Sequence, residues 1–195
     1  MKYLKMLGLA AVAAMALMAF GAGTASATKL CTDSACTTVY AAGTEIKSEL
    51  VAGTSAALTS GGSTIATCTS SGVAGTTSNK EGATVSGNIS SLTWGGCSQT
   101  THTVANGSLE IAWTSGSNGT VTGKNSQVTV QIFGVSCTYG TGEGTHLGSI
   151  TGGTSPILKI TTTVAKTAGG FLCPSTAGWD AEYVLTSPHA LYVGK

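Results

Sequence analysis

Six cysteines, at positions 31, 36, 68, 97, 137 and 173, constrain what this 195-residue chain can fold into more than any other feature. Their meaning depends on compartment, and the N-terminus points to one. Residues 1–27 pass from a basic start (Lys2, Lys5) through an apolar run, Met6 to Phe20, to a small-residue stretch ending Ala25-Ser26-Ala27. That order is the order of a secretory signal peptide with an A-x-A cleavage site after Ala27. The apolar run falls short of the ~20 residues a spanning helix needs, and no Cys follows the cleavage site to take a lipid. The expected mature chain, residues 28–195, is therefore secreted, extracellular or at the cell surface, without membrane insertion after cleavage. In an oxidising compartment an even cysteine count reads as disulfide pairs. Cys31, Cys36, Cys68, Cys97, Cys137 and Cys173 allow fifteen connectivities; spacing favours Cys31–Cys36, Cys68–Cys97 and Cys137–Cys173. Each longer bridge would contribute roughly 3 to 4 kcal/mol by constraining the unfolded chain. A zinc site is not expected, because there is no C-x-x-C pair and no His at ligand spacing from a Cys.

The 168 residues left after cleavage suit one domain. Residues 28–43 form its Cys-bracketed N-terminal segment, with CTDSAC at 31–36. Beyond it, short alternating runs are separated by Gly, Asn and Ser. In 108–114 Leu109, Ile111 and Trp113 fall on one side, and in 126–133 Val128, Val130 and Ile132 do. Leu158, Ile160 and Val164 repeat the pattern in 157–165, as do Trp179, Tyr183 and Leu185 in 179–186. A period of two is the mark of a half-buried strand. Weaker strand candidates are 44–51, 63–69, 83–94, 135–139 and 190–193. Asn106-Gly107 and Asn118-Gly119 supply the positive φ that tight hairpin turns need, so antiparallel neighbours are expected. No window of the mature chain joins helical period to helix-forming composition. The fold expected is all-β: a single antiparallel β-sandwich, immunoglobulin-like with Greek-key connections, stapled by disulfides. By analogy with that fold, Trp94, Trp113 and Trp179 would pack over inter-sheet disulfides.

Several fragments in order carry a resemblance: LCTDSAC with AGTEIKSEL, LTSGG followed by TCTSS, VSGNISSLTWGGC, then CPSTAGWDAEYVLTSP and a final ALYV. From about residue 30 to the C-terminus the chain resembles a group of secreted, functionally uncharacterised bacterial proteins. The resemblance implies a secreted, β-rich fold and brings no functional residues with it.

Composition narrows the partners. Only 9% of residues are charged, and all nine basic residues are lysines. Arginine is the usual reader of phosphate and base edges, so nucleic acid, anionic membrane and phosphorylated partners are not expected. A Ser/Thr-rich surface suits an unknown protein or glycan partner, or self-association, with the Thr-rich 158–165 segment as a candidate sheet edge for strand addition.

No catalytic signature emerges. No serine sits in Gly-x-Ser-x-Gly, and His102, His146 and His189 lie far apart among loop-like neighbours. The acids Asp33, Glu45, Glu49, Glu81, Glu143 and the polar-phase trio Glu110, Asp180 and Glu182 are mostly isolated, so neither calcium nor a cofactor is expected. Gly-rich 139–149 lacks the Lys and helix of a phosphate loop and reads as hairpin loop. The function expected is a non-catalytic extracellular surface or matrix component, or a partner-binding module. Two alternatives stand beside it: a polysaccharide-acting hydrolase using a carboxylate pair from Glu110, Asp180 and Glu182, or a small-ligand carrier with a pocket between the sheets.

Overall fold

The computed structural model describes residues 27–80 and 82–195. The expected signal peptide, apart from Ala27, lies outside the described residues, as does Glu81. Regular structure among the described residues is entirely β: β1 (Lys29–Cys31), β2 (Glu45–Leu50), β3 (Ala56–Ser60), β4 (Ser63–Thr77), β5 (Val85–Cys97), β6 (Thr101–Ala105) and β7 (Ser108–Ser115). Then follow β8 (Asn118–Lys124), β9 (Gln127–Ile132), β10 (Val135–Gly140), β11 (Thr145–Thr151), β12 (Ile157–Ala168), β13 (Thr176–Ser187) and β14 (Tyr192–Gly194).

Eight of these close on themselves. The ladder runs β2–β4–β5–β7–β8–β11–β12–β13 and returns to β2, every neighbour antiparallel. The expected single sandwich of immunoglobulin-like, Greek-key kind is therefore corrected to a closed barrel with outer strands. Alternation reports only that one face of each strand is buried, and sandwiches and barrels share it. What separates them is the β2–β4 ladder, from Glu45↔Thr76 to Glu49↔Gly72, which joins residues 23 apart in the chain at its near end. Bulges help the wall to curve: the register shifts between Ala74 and Gly75 on β4 and between His146 and Gly148 on β11. At Gly75 a Cβ would sit 2.4 Å from the Asn88 carbonyl oxygen, so only glycine permits that approach of β4 to β5.

Four barrel strands, β4, β5, β12 and β13, run on past the barrel and carry a second layer. There β3 fills the space between β13 and β4, β10 pairs β12, β9 pairs β10, and β6 pairs β9. β6 returns to β5 through side chains: Thr103 Oγ1 donates to the Leu92 carbonyl at 2.7 Å and accepts from Trp94 Nε1 at 3.1 Å. The Thr-rich 158–165 segment is no edge, since β12 is paired on both sides; β6 is the edge instead. Two cores result. Leu30, Val85, Val121, Ile150, Tyr183 and Leu191 fill the barrel, while Ala66, Val130, Ile132, Tyr139, Val164 and Ala177 fill the second layer.

The β1–β14 ribbon covers the barrel end away from the second layer, burying Leu30 and Val193. Asn79 stitches it down, accepting from the Leu30 N–H and donating to the Leu30 and Tyr40 carbonyls. The three disulfides are Cys31–Cys36, Cys68–Cys97 and Cys137–Cys173, the pairing that spacing favours. Cys68 and Cys97 face one another in the β4–β5 ladder, and Cys137 ties β10 to the loop after β12. Within the 31–36 loop the Asp33 carboxylate accepts from the backbone N–H groups of Ala35, Thr37 and Thr38 and from the Thr37 hydroxyl.

Turn expectations divide. Asn118-Gly119 is not a hairpin turn but the start of β8, the turn falling on Gly116 and Ser117. Asn106-Gly107 does turn with positive φ at Gly107, yet β6 and β7 do not pair, so the chain there passes from one layer to the other.

Candidate functional site: two cavities inside the barrel

The interior faces read from alternation enclose space that their side chains do not fill. One cavity of about 80 Å³ lies toward the second layer, lined by Ala66, Leu92, Trp94, Tyr139, Val164 and Trp179 among others. A second, of about 90 Å³, lies under the ribbon against Leu30, Val85, Val121, Ile150 and Leu191. Val73, Ile89, Leu109 and Leu158 belong to the walls of both, so the two cavities adjoin along the barrel axis. Among the described residues no charged side chain lines either. Small side chains explain the space: the buried Ala56 and Ala66 stand where a larger side chain would reach inward.

Polar groups in the wall are nearly all satisfied. The Tyr139 hydroxyl donates to the Pro174 carbonyl at 3.2 Å, Ser126 Oγ donates to the Asn106 carbonyl at 2.6 Å, and the Ser126 N–H donates to Thr141 Oγ1 at 3.0 Å. Trp94 gives its indole N–H to Thr103, and Trp113 gives its own to the Gly116 carbonyl at 2.8 Å. Trp179 differs. Its Nε1 is buried and has no acceptor among the described residues, although the large majority of buried side-chain polar atoms in folded proteins are paired. It sits 6.1 Å from Trp94, ring centre to ring centre, with the planes tilted at 58°. Trp94 and Trp179 line the same cavity as Cys68, but the Cys68–Cys97 bridge joins paired residues of the β4–β5 ladder and is not the inter-sheet disulfide that the analogy expected; Trp113 lies under the Lys195 ammonium, 4.0 Å above its ring.

At the level where β2 ends, Tyr183 is fully buried and its hydroxyl meets Ser71 Oγ at 3.0 Å. Burial pushes the Tyr183 phenol up to about 12, against the small opposing effect of the Ser71 hydrogen bond. Desolvation likewise raises Tyr139 and Tyr40 above the usual phenol range.

The carboxylates expected for a hydrolase do not converge. Glu110 on β7 is separated from Asp180 and Glu182 on β13 by β8, β11 and β12, and all three lie on the outer face opposite the inward residues of their strands. Glu110 is bonded to Lys124 at 2.6 Å and Glu182 to Lys159 at 3.1 Å. His102 and His146 are on strands β6 and β11 rather than in loops, and His189 follows β13; each is exposed. Among the described residues no three of His, Cys, Asp and Glu come together as a metal-ligand set. The 139–149 stretch contains the start of β11, so only part of it is loop. Neither cavity was legible residue by residue, though the inward set Leu109, Val128, Leu158 and Trp179 that lines them was. Comparison with known protein families, with curated proteins and with solved structures gives no match for this chain.

Proposed function

We propose that this chain is an exported, non-catalytic binding protein whose barrel interior takes a small, neutral, apolar molecule bearing one hydrogen-bond acceptor. The observation that carries the reading is the buried Trp179 Nε1 without a partner in the wall of an otherwise apolar, charge-free cavity. Eight-stranded barrels are just wide enough to hold one small ligand, and ligand sites of this kind combine apolar walls with a few fixed polar groups. Two adjoining cavities of about 80 and 90 Å³ are together of the order of the 150 Å³ space that accepts benzene. An acceptor on the guest would satisfy the indole donor, and its absence would leave a buried polar group unpaired at a cost of about 1 to 3 kcal/mol. Export is supported by the order of residues 1–27 and by three disulfides, which persist in oxidising compartments.

The experiment is calorimetric titration with acetophenone and with its hydrocarbon isostere α-methylstyrene. Saturable one-to-one binding, about tenfold tighter for the ketone, is expected. In Trp179→Phe the preference for the ketone disappears while hydrocarbon binding persists. Equal affinities in the native protein, or no saturable heat for either compound, would overturn the reading.

A further inference from the structure

The chain has three phenylalanines, and only Phe133 and Phe171 follow Ala27. Neither is in a core. Phe133 is 92% exposed and Phe171 is 93% exposed, with Leu172 beside it at 56%. A chain that fills two cores without phenylalanine and puts both on turns is displaying them.

Their placement is fixed by the fold. Phe133 and Gly134 form the two-residue turn between β9 and β10, where Val135 pairs with Ile132. Both turn residues have positive φ, +50° and +78°, a geometry that favours Asn-Gly. Phenylalanine stands there against the backbone's preference. Phe171 lies in the loop after β12. The β10–β12 ladder sets Thr138 opposite Ala168, so the chain beyond Ala168 runs alongside Ser136 and back toward the β9–β10 turn. The Cys137–Cys173 disulfide locks that loop to β10, and Gly169 packs against the Ser136 carbonyl and Cys137. The two apolar tips therefore project from one end of the molecule on a rigid base.

That end is almost free of charge. Strands β3, β6, β9 and β10, the Phe133-Gly134 turn, and residues 167–179 contain no Asp, Glu, Lys or Arg. Lys166 is the charged side chain beside the tips, and its ammonium reaches the carbonyls of Gly170 and Cys173 within the same loop. Those segments therefore bring no carboxylate to be repelled by lipid phosphate. The ion pairs Lys47–Glu45 and Lys124–Glu110 belong to barrel strands.

We propose that the Phe133 and Phe171 tips dock the protein on a lipid bilayer by inserting into its interfacial region. Fully exposed aromatic side chains on separate convex turns fit a soft apolar layer they can penetrate. The interface of a membrane accepts such side chains with the polar backbone left at headgroup level. The scarcity of basic residues argues against an electrostatic membrane binder, and this docking does not need one, because apolar insertion is insensitive to salt.

The test is co-sedimentation of the purified native protein with vesicles of phosphatidylcholine, and of phosphatidylcholine with one third phosphatidylglycerol, at 0.1 and 0.5 M NaCl. The expected result is binding to both vesicle types that survives high salt. Phe133→Ser and Phe171→Ser should each weaken partitioning about tenfold and the double variant more, as burial of an aromatic side chain implies. Unchanged melting temperatures in these variants keep loss of binding separate from loss of fold. No sedimentation with either vesicle, binding equal in the serine variants, or binding abolished by salt would each overturn the proposal. So would light scattering that shows a Phe-dependent dimer without lipid, since a second copy would then cover the tips.

Discussion

Tyr183→Phe removes one oxygen atom from the middle of the barrel, and the structure sets what that does. The hydroxyl is buried and its partner is Ser71 Oγ at 3.0 Å. Without it the buried Ser71 hydroxyl has lost its partner, so stability at pH 7 should fall by about 1 to 3 kcal/mol. Ser71→Ala should cost a similar amount for the converse reason. The double variant should recover part of the loss, with a coupling of about 1 kcal/mol, because no unpaired group remains. The pH dependence is more telling. Burial favours the neutral phenol, lifting Tyr183 from 10 to about 12 in the folded state. Its contribution is therefore complete below pH 10 and is lost as pH rises from 10 through about 12. Two pKa units correspond to roughly 3 kcal/mol. Urea unfolding at pH 8, 9, 10 and 11 should show native stability falling toward that of Tyr183→Phe, the gap closing in the alkaline range. Tyr40 and Tyr139 are also raised by burial but are common to both proteins, so they cancel in the difference. Parallel stability curves from pH 8 to 11 would refute the argument, because they would mean that Tyr183 ionises as freely as in the unfolded chain.

Three further outcomes are expected. Replacing Cys68 and Cys97 together by alanine frees a loop whose ends are 29 residues apart and should lower stability by about 3 to 4 kcal/mol in urea unfolding; a loss below about 1 kcal/mol would contradict the chain-entropy account. Gly148→Ala would place a Cβ 2.1 Å from the Lys159 carbonyl oxygen between β11 and β12, so a loss above about 2 kcal/mol is expected, against about 1 kcal/mol for Gly142→Ala, where φ is positive but the space is open. Near-equal losses in thermal melts would show that the β11–β12 approach is looser than described. Finally, hydrogen bonds from the Thr37 and Thr38 backbone lower the Asp33 pKa, so its capping holds above the ordinary carboxylate range and is lost as pH falls through the lowered value. Amide exchange at Ala35, Thr37 and Thr38 should rise there in the native protein and show no such step in Asp33→Ala.

Much of the wall was legible in the sequence because a period of two survives any arrangement of strands. Leu109, Ile111, Val128, Leu158, Trp179 and Tyr183 were placed inward from alternation alone, and all of them line a cavity or fill a core. The disulfides followed from spacing because each longer bridge joins neighbouring parts of the fold: Cys68 and Cys97 are ladder partners, and Cys137 lies next to the loop that holds Cys173. Closure was not legible. It depends on which strands pair, and the strand that closes the barrel, β2, carries EIKSEL, whose pattern is the most ambiguous in the mature chain. Strand β1 was missed because three residues show no period, and β3, β6, β8 and β11 because AALTS, THTVA, NGTVTGK and THLGSIT are rich in Thr, Ser and Gly and present few large apolar residues to mark a face. The Asn118-Gly119 dipeptide misled for a local reason: Gly116, two residues earlier, takes the positive φ and the turn forms there. The cavity depends on side chains that are small, and a missing volume leaves no pattern along the chain. Its free donor, Trp179 Nε1, is visible only once Trp94 and Trp113 are seen to have found partners.

The most direct measurement is the set of three indole N–H resonances in a ¹⁵N-labelled sample titrated with acetophenone. Binding in the barrel predicts that the Trp179 resonance moves downfield and saturates as its N–H acquires an acceptor, while Trp113, already bonded to Gly116 and outside both cavity walls, stays in place. A Trp179 resonance that does not move, or a drift of all three together, would contradict a ligand site built around that donor.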